Sequence, residues 1–468
     1  SILREKLPVP IKNAGDQNRG FATQRLQQLL GRPKVVVIGA GISGLVAARI
    51  LADTGFPVRV LEARERLGGR IWTDHSLGVP CDLGASWIHG AKKNPLTKWC
   101  QSLGIPMQKR PKGSIYFYRG GRSIGFIRLI WKARAILLKA AFNSFRGLLR
   151  NPGCQLAVAL PPNPHSKAES GQQLLWWLMA MMEGINGARA EKLLLRELDP
   201  CEYFRDNLAP VGGFGGLVED AAKGLDITFG CEVEAILWGL KGVQVLTNKG
   251  RFDASLALVT LPVGVLKAKT VRFDPPLPSI KLEAVEHLGE QGVLNKVILC
   301  LRQRTWPRTH QRLAYLPHDS NQRGALTYWI DMDEELPSPI LVGFACGRWG
   351  EKMDLEMGRD EIVAWALKVL RDMFGTIAPA HPPHLITRWL SDPWARGSYS
   401  FGAVGSKTEH RKALAQPLAK KLFFGGEATH PAHYGTVHGA LLSGMRAARQ
   451  IHKLFCCPHE TLKNLPWI

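Results

Sequence analysis

Residues 34–70, KVVVIGAGISGLVAARILADTGFPVRVLEARERLGGR, predict the fold of this chain. Their apolar, β-branched start, VVVI at 35–38, is typical of a buried parallel strand. Glycines in the spacing G-x-G-x-x-G follow, then apolar residues at helical spacing, and then a second apolar run that ends at Glu62. Strand, glycine turn, helix, strand and acid in this order predict a Rossmann-like dinucleotide-binding unit.

The residues of this turn each have a physical reason. Gly39 permits the tight turn from strand to helix, Gly41 lets the backbone approach a pyrophosphate, and Gly44 lets the helix pack close to the strand. Ser43, in the same turn, is a further candidate for cofactor binding, because the positive end of the helix dipole faces the phosphates. Glu62 falls at the spacing where a carboxylate accepts hydrogen bonds from ribose hydroxyls.

Two later motifs extend this pattern, LGGR at 67–70 and CDLGASWIHG at 81–90. The combination resembles the flavin amine oxidases, a family of polyamine oxidases, monoamine oxidases and lysine-specific histone demethylases. The resemblance extends over roughly residues 34–455 and implies that the dinucleotide is FAD. It also implies an α/β fold with two domains, a Rossmann-like FAD-binding domain and an α+β substrate domain.

On this resemblance, both domains are discontinuous along the chain. The FAD-binding domain is expected to comprise residues 34–90, 209–265 and 390–455. The substrate-binding domain is expected to comprise residues 91–208 and 266–389. Residues 1–33 are expected to form an N-terminal arm, and residues 456–468 a C-terminal tail.

The resemblance also implies which residues contact FAD. Arg64 and Arg70 match contact positions of the family, Glu427 in the motif GGEATH matches its acidic contact, and Val233 matches its adenine-side contact. The other matching positions are Gly69, Gly84, Ala85, Ser86, Trp87, Trp389, Thr436 and Val437.

The residues nearest the chemistry are implied in the same way. Lys296 matches the lysine that holds a water against flavin N5, and we predict that it is buried just before a strand at 297–301. Burial would depress its pKa and prepare it for proton relay. Trp394 and Tyr399 match aromatic positions at the flavin face, where rings hold the amine by packing and cation–π attraction. His89 matches a substrate-side histidine, and a structural role for it is equally open.

Cysteine positions decide two further expectations. In monoamine oxidases, a cysteine in the region that matches Ser398 forms a covalent thioether with the flavin. Serine cannot form that bond, so FAD is expected to bind this chain non-covalently. The nine cysteines are dispersed without a C-x-x-C pair, which favours free thiols in an intracellular, cytoplasmic protein and predicts no metal site. No apolar run approaches ~18 residues, so we expect no transmembrane helix.

The charge of the chain is strongly positive, at +22. No acidic residue occurs between Asp82 and Glu169, and the lysines and arginines of residues 92–150 concentrate there. Five basic residues within 126–150 are predicted to share one face of a basic amphipathic helix, namely Arg128, Lys132, Lys139, Arg146 and Arg150. This region is expected to dock on an anionic surface, either membrane lipid or nucleic acid, by peripheral association. A solvated basic surface is the alternative.

The function implied by the resemblance is an FAD-dependent amine oxidase. Its partners are a small-molecule amine, of polyamine type, and O2, with an imine and H2O2 as products. Glu183 is the candidate carboxylate for binding such a substrate. The alternatives are a histone demethylase, an L-amino-acid oxidase and a catalytically silent flavoprotein that binds an anionic partner. The L-amino-acid oxidase would need an arginine that binds the substrate carboxylate, and the sequence does not place one. The sequence leaves the oligomeric state open.

Overall fold

A computed structural model describes residues 32–109, 113–125, 129–131, 138, 142–143, 155, 170–194, 207–288, 292–332, 338–375 and 381–455. The strands in this part of the chain are β1 (Val35–Ile38), β2 (Val58–Leu61), β3 (Thr73–Asp74), β4 (Cys81–Asp82), β5 (Met107–Lys109), β6 (Ile115–Arg119), β7 (Arg122–Ile124), β8 (Leu208–Pro210), β9 (Asp226–Thr228), β10 (Val233–Gly239), β11 (Gly242–Thr247), β12 (Gly250–Ala254), β13 (Leu256–Val259), β14 (Arg272–Asp274), β15 (Leu294–Cys300), β16 (Arg312–Tyr315), β17 (Ala325–Asp331), β18 (Ile340–Cys346), β19 (His384–Ile386) and β20 (Leu422–Phe424).

The α-helices of the same residues are α1 (Ile42–Asp53), α2 (Pro95–Ser102), α3 (Ser170–Asn186), α4 (Gly215–Ala222), α5 (Val263–Lys267), α6 (Ser279–Leu288), α7 (Gly347–Leu355), α8 (Arg359–Phe374), α9 (Thr408–Ala415) and α10 (Val437–Phe455). None of these helices has the length and apolar character needed to cross a membrane. The predicted N-terminal arm (1–33) lies almost entirely outside the described residues, and the C-terminal tail (456–468) lies wholly outside them.

The dinucleotide half is built on a parallel sheet in the order β20-β13-β1-β2-β9. Its central strand, β1, pairs with β13 on one side and β2 on the other and is fully buried. A strand enclosed in this way needs an apolar, β-branched sequence, which VVVI supplies. The predicted α/β fold with a Rossmann-like domain is confirmed.

The substrate half is built on a mostly antiparallel sheet in the order β19-β15-β18-β17-β16-β6-β7. Helix α8 packs its apolar stripe, including Ile362, Ala366 and Leu370, on one face of this sheet. The opposite face carries Ile298, Ile330 and other apolar residues toward the cavity between the two halves. The alternation along each strand therefore gives one face to the core and the other to the site.

Two stretches that were predicted to belong to the substrate-binding domain, after residue 90 and after residue 265, pack against the dinucleotide half. Helix α2 packs Leu96 and Trp99 into the core of the dinucleotide half. Strand β14 pairs with β10, and α6 packs on Leu414 and Ala428 of the same half. The bounds at residues 91 and 266 stay a prediction, because these contacts alone do not divide the chain into domains.

Helices α1 and α10 cross at very short range on one side of the parallel sheet. A Cβ atom at Gly444 would lie 2.2 Å from the backbone oxygen of Ser43. The hydroxyl oxygens of Ser43 and Ser443 lie 3.0 Å apart. Both accept a hydrogen bond from the backbone N–H of Gly426, each at 2.9 Å. The crossing therefore fixes α1, α10 and the turn after β20 relative to one another.

We expect Gly444→Ala to destabilise the protein by about 1–3 kcal/mol, the usual cost of overpacking a core. Alanine has a higher helix propensity than glycine, which by itself would stabilise α10. A decrease in the stability of the protein would therefore measure the unfavourable contact with Ser43. Gly216→Ala is the matched control, because this glycine also lies inside a helix, α4, and a Cβ there would make only an ordinary contact, 3.4 Å from Cδ1 of Ile105. Thermal unfolding of the flavin-loaded variants measures the effect, and equal melting temperatures would contradict it.

Candidate active site

A cavity of about 800 Å³ lies between the two halves. The residues that follow β1, β2 and β13 line it on one side, and side chains of β15, β17, β18 and α3 line it on the other. Crevices at the carboxyl ends of parallel strands are the usual ligand sites of such sheets. The structure brings every site residue named from the sequence to this lining except Gly44 and Glu183. A Cβ at Gly44 would lie 2.0 Å from the backbone oxygen of Gly39.

The glycine turn forms a bare backbone surface at one end of the cavity. Gly39 has a φ of 102°, which favours glycine, and a Cβ there would lie 2.8 Å from Thr260 Oγ1. Gly69 has a φ of 60° and faces Gly41, whose own Cβ position is open to within 4.0 Å. Gly41 caps α1 without any side-chain hydrogen bond. A bare turn and an uncapped helix N-terminus fit a pyrophosphate.

Glu62 is buried at the end of β2, beside this turn. Its carboxylate accepts the backbone N–H of Ala40 at 2.7 Å and of Arg64 at 2.9 Å. Burial raises the pKa of Glu62, although these hydrogen bonds and Arg64 oppose the shift. A fixed carboxylate at this place fits the ribose of a dinucleotide.

Trp394 differs from its predicted place in an amine cage. The ring stacks on Arg64, with the guanidinium carbon 5.1 Å from its centroid, and Arg64 in turn forms two hydrogen bonds with Asp392, at 2.9 and 2.7 Å. Trp394 also lines a shallow outer depression with residues 63–66. It therefore belongs to the dinucleotide side of the cavity mouth, because Asp392 and Arg64 hold it there.

Glu427 links separate segments of the dinucleotide half behind the cavity. Its carboxylate accepts hydrogen bonds from Arg70 at 3.0 Å, from the Ser400 hydroxyl at 2.7 Å and from the Gly435 N–H at 2.6 Å. Burial opposes ionisation, but Arg70 and these donors outweigh it and hold the pKa of Glu427 below its usual range. The pair thus remains charged and fixes Arg70 against the cavity.

Lys296 is 4% exposed and lies inside β15, which begins at Leu294 rather than after the lysine as predicted. Its Nζ donates to the backbone oxygens of Asp82 and Gly84, both at 2.7 Å, and to Ser86 Oγ at 2.5 Å. Burial lowers the pKa of Lys296 to about 8, while Asp82 opposes the shift. A lysine with this pKa can hold or release a proton near neutral pH.

The aromatic lining is larger than the sequence indicated. Tyr399 donates its hydroxyl proton to the Gly184 oxygen at 2.6 Å, which orients its ring at the end of α3. Phe344 lies 6.0 Å from Trp87 and 5.8 Å from Tyr328, centroid to centroid. Sequence reasoning missed Tyr328 and Phe344. Their pairing in the β17–β18 register would have indicated a shared face, but not which face meets the cavity.

His89 lies in the cavity lining with Asn207, whose side-chain oxygen is 3.1 Å from His89 Nδ1. Burial lowers the pKa of His89, while Asn207 opposes the shift. Because Nδ1 donates to the Asn207 oxygen, Nε2 of the neutral imidazole is a hydrogen-bond acceptor, which is compatible with the substrate-side and with the structural role.

The structure does not place Glu183 in the lining. Its carboxylate is fully buried and paired with Arg323 through contacts of 3.0 and 2.9 Å, so it is not available to a substrate ammonium. The described lining residues of α3 and of the substrate sheet include no carboxylate. They do include Arg312, a third residue that sequence reasoning missed, and its Nε donates to the Tyr328 hydroxyl at 3.0 Å.

Comparison with known proteins decides the family. A profile of the flavin-containing amine oxidoreductases matches residues 42–175 and 168–452. The chain belongs to this family. It is similar to polyamine oxidase 3 of Oryza sativa subsp. japonica, with 33% identity over 446 residues, 89% of each protein. It is also similar to polyamine oxidase 2 of Arabidopsis thaliana, with 32% identity over 437 residues, 89% of this chain and 87% of the relative.

Two further comparisons extend this result. Lysine-specific histone demethylase 1 homolog 1 of Oryza sativa subsp. japonica is 32% identical over 455 residues, 90% of this chain but 52% of the relative. The fold is shared with a putrescine oxidase solved with putrescine bound, at a TM-score of 0.69 and 20% identity, covering 90% of this chain and 99% of the other. The amine oxidase fold predicted from the motifs is confirmed.

As a member of this family, the chain is an FAD-dependent amine oxidase, and the cavity fits the cofactor. The FAD is held non-covalently. Ser398 binds β15 instead, because its hydroxyl accepts the Leu294 N–H at 2.9 Å and donates to the Leu294 oxygen at 3.0 Å. Cys346 also lines the cavity, and burial raises the pKa of its thiol, which keeps it protonated and weakly nucleophilic.

We expect acid precipitation of the purified, yellow protein to release all flavin to the supernatant. The described cavity lining offers only the thiols of Cys231 and Cys346, both buried. Flavin absorbance in the washed pellet would contradict a non-covalent cofactor. In that case, the variants Cys231→Ser and Cys346→Ser would identify the bond.

Replacing Lys296 with methionine should retain bound FAD and slow flavin reduction or reoxidation by about 10²–10⁴-fold, the usual loss for a positioned proton-transfer group. Lys281→Met is the matched control. Lys281 is also a buried lysine, with its pKa lowered by burial to about 7, but it lies outside the cavity lining. Stopped-flow absorbance measures both half-reactions, and wild-type rates in Lys296→Met would exclude this role.

Proposed function

We propose that this flavin amine oxidase oxidises a C–N bond of a polyamine-type substrate to an imine, with O2 reduced to H2O2. The observation that carries the proposal is Lys296, buried in the cavity wall and bound to the segment 82–86 of the opposite domain. The similarity to polyamine oxidases over most of both chains supports the substrate class.

The bound FAD supplies the two-electron redox chemistry, and the chain supplies orientation, water exclusion and proton handling. Trp87, Tyr328 and Phe344 offer apolar faces to an alkyl chain, and Tyr399 is oriented by its bond to Gly184. Lys296 Nζ, with a pKa of about 8, holds or moves a proton close to these rings. Cation–π attraction between the rings and an ammonium group contributes to binding before its deprotonation.

A second substrate class is favoured by Arg312. Among the described residues, this arginine contacts only neutral groups, the Tyr328 hydroxyl and the Gly113 oxygen. It lies three strands from Lys296 in the sheet order, about 14 Å at the usual strand spacing. This separation suits an amine with a carboxylate at its far end better than the α-carboxylate of an L-amino acid.

A panel of amines, assayed by H2O2 release, decides between these classes. Putrescine, spermidine and spermine should be oxidised if the substrate is a polyamine. Higher kcat/KM for amines with a terminal carboxylate, reduced about 10- to 100-fold by Arg312→Gln, would favour the second class, because hydrogen bonds to charged groups contribute roughly 1.5–3 kcal/mol. Absence of peroxide with every amine would contradict an active oxidase and favour a silent flavoprotein.

We further propose that the protein is cytoplasmic and docks peripherally on an anionic membrane through the segment 126–150. Arg128, Lys132, Lys139, Arg146 and Arg150, which form the predicted basic face, lie outside the described residues. The described residues of this segment are helical and include three exposed apolar side chains, Trp131 at 63%, Leu138 at 70% and Phe142 at 58%. Exposed apolar residues within a basic segment favour lipid over nucleic acid.

Binding to vesicles that contain anionic lipid should therefore exceed binding to zwitterionic vesicles and weaken with salt. Replacing Trp131, Leu138 and Phe142 together with serine should reduce it, because burial of these side chains in the interface is lost. The matched control replaces Leu240, Ile280 and Leu355, which are exposed elsewhere on the surface. Flotation measures binding; equal affinity for both vesicle types, or a preference for DNA, would overturn the proposal.

A further inference from the structure

Three metal-ligating side chains meet on the surface of the dinucleotide half, away from the cavity. Glu283 and His287 lie four residues apart in α6, which puts them on one face of the helix. His410, in α9, lies against them, and its ring is stacked on that of His287 with centroids 4.6 Å apart and planes at 14°. Each of the three offers a ligand atom, and these atoms all lie within 4.8 Å of one another.

We propose that Glu283, His287 and His410 form a binding site for Zn²⁺ or another late first-row divalent metal ion, with water completing the coordination. Two imidazole nitrogens and one carboxylate oxygen are ligands typical of zinc. Imidazole ligands also favour Cu²⁺, Ni²⁺ and Zn²⁺ over Mg²⁺ and Ca²⁺, which prefer sites built from oxygen atoms. The site is independent of the flavin and of the oxidase reaction.

The packing of the two helices holds the ligands together before any metal binds. Ala284, Val285 and Leu288 of α6 are buried against Leu414 of α9 and its surroundings. Lys281, two residues before Glu283, donates its ammonium protons to the oxygens of Ala413 and Leu414 at 3.0 and 2.7 Å. The backbones are therefore fixed, and the site needs no refolding to bind an ion.

Only small side-chain movements would close the site on a metal. In a tetrahedral site with metal–ligand bonds of about 2.0–2.1 Å, the ligand atoms are about 3.3 Å apart. The ligand atoms of this cluster are at most 4.8 Å apart. Glu283 and His287 are exposed and can rotate toward His410. His410 Nδ1 accepts a long hydrogen bond from the Lys407 N–H, at 3.3 Å. If His410 bound the metal through Nε2, its Nδ1 would carry the proton and this weak hydrogen bond would be lost at little cost.

The charge state of the cluster suits metal binding. Glu283 forms no ion pair with a lysine or arginine in the described part of the chain, so its carboxylate is available.

Titration of the chelator-treated, flavin-loaded protein with ZnCl2 tests the proposal. Isothermal titration calorimetry should show a saturable site in the wild type, and zinc should raise the melting temperature because it binds only the folded state. His287→Gln and His410→Gln should each weaken zinc binding by more than about tenfold, since removal of even an outer-shell partner typically costs roughly 10- to 100-fold. Glu283→Gln should weaken it too.

Glu286→Gln is the matched control, because Glu286 is exposed on the same helix but outside the cluster. It should bind zinc like the wild type, and MgCl2 should produce no saturable binding in any variant. Flavin content and circular dichroism confirm that each variant is folded. Equal zinc affinity and stoichiometry in the wild type, His287→Gln and His410→Gln would overturn the proposal, as would absence of zinc binding by the wild type.

Discussion

The attachment of Lys296 to the segment 82–86 is the interaction on which the site depends. One ammonium group from the substrate sheet satisfies two backbone oxygens and one hydroxyl of the segment that leads to Trp87. The same bonds hold the two halves together at the cavity wall. Desolvation of the lysine costs free energy. These polar partners offset that cost only in part, as the lowered pKa of Lys296 indicates. The position is thus both an anchor and a proton site.

Other buried charges around the cavity are compensated within the protein. Arg70 is fixed by Glu427, Arg64 by Asp392 and Glu183 by Arg323. A buried ion pair contributes little net stability, but loss of one partner leaves an uncompensated charge. We infer that these pairs define the shape of the cavity rather than the affinity for a substrate. Arg312, like Lys296, is a cationic side chain of the lining that contacts only neutral groups of the described residues.

The local sequence predicted the parts of the site that depend on local backbone geometry. The turn from β1 to α1 and the acid at the end of β2 follow from glycine spacing and periodicity, because each needs only neighbouring residues. The place of Trp394 and the pairing of Glu183 with Arg323 could not be derived in this way. Both depend on partners more than 100 residues distant along the chain, Arg64 in one case and Arg323 in the other. For the same reason, the face that Tyr328 and Phe344 present to the cavity became visible only with the assembled sheet.

The order of the chain has a consequence for synthesis. The parallel sheet begins with β1 near the start of the chain, but its edge strand β20 and the helix α10 come from the last described segment. A nascent chain exposes the apolar side of α1 until α10 has left the ribosome, because Gly444 meets Ser43 across some 400 residues. Such non-local contacts are slow to form and expose unfinished intermediates to aggregation. The dinucleotide half is therefore completed only after translation has passed Phe455, and we expect cofactor loading to follow the synthesis of this segment.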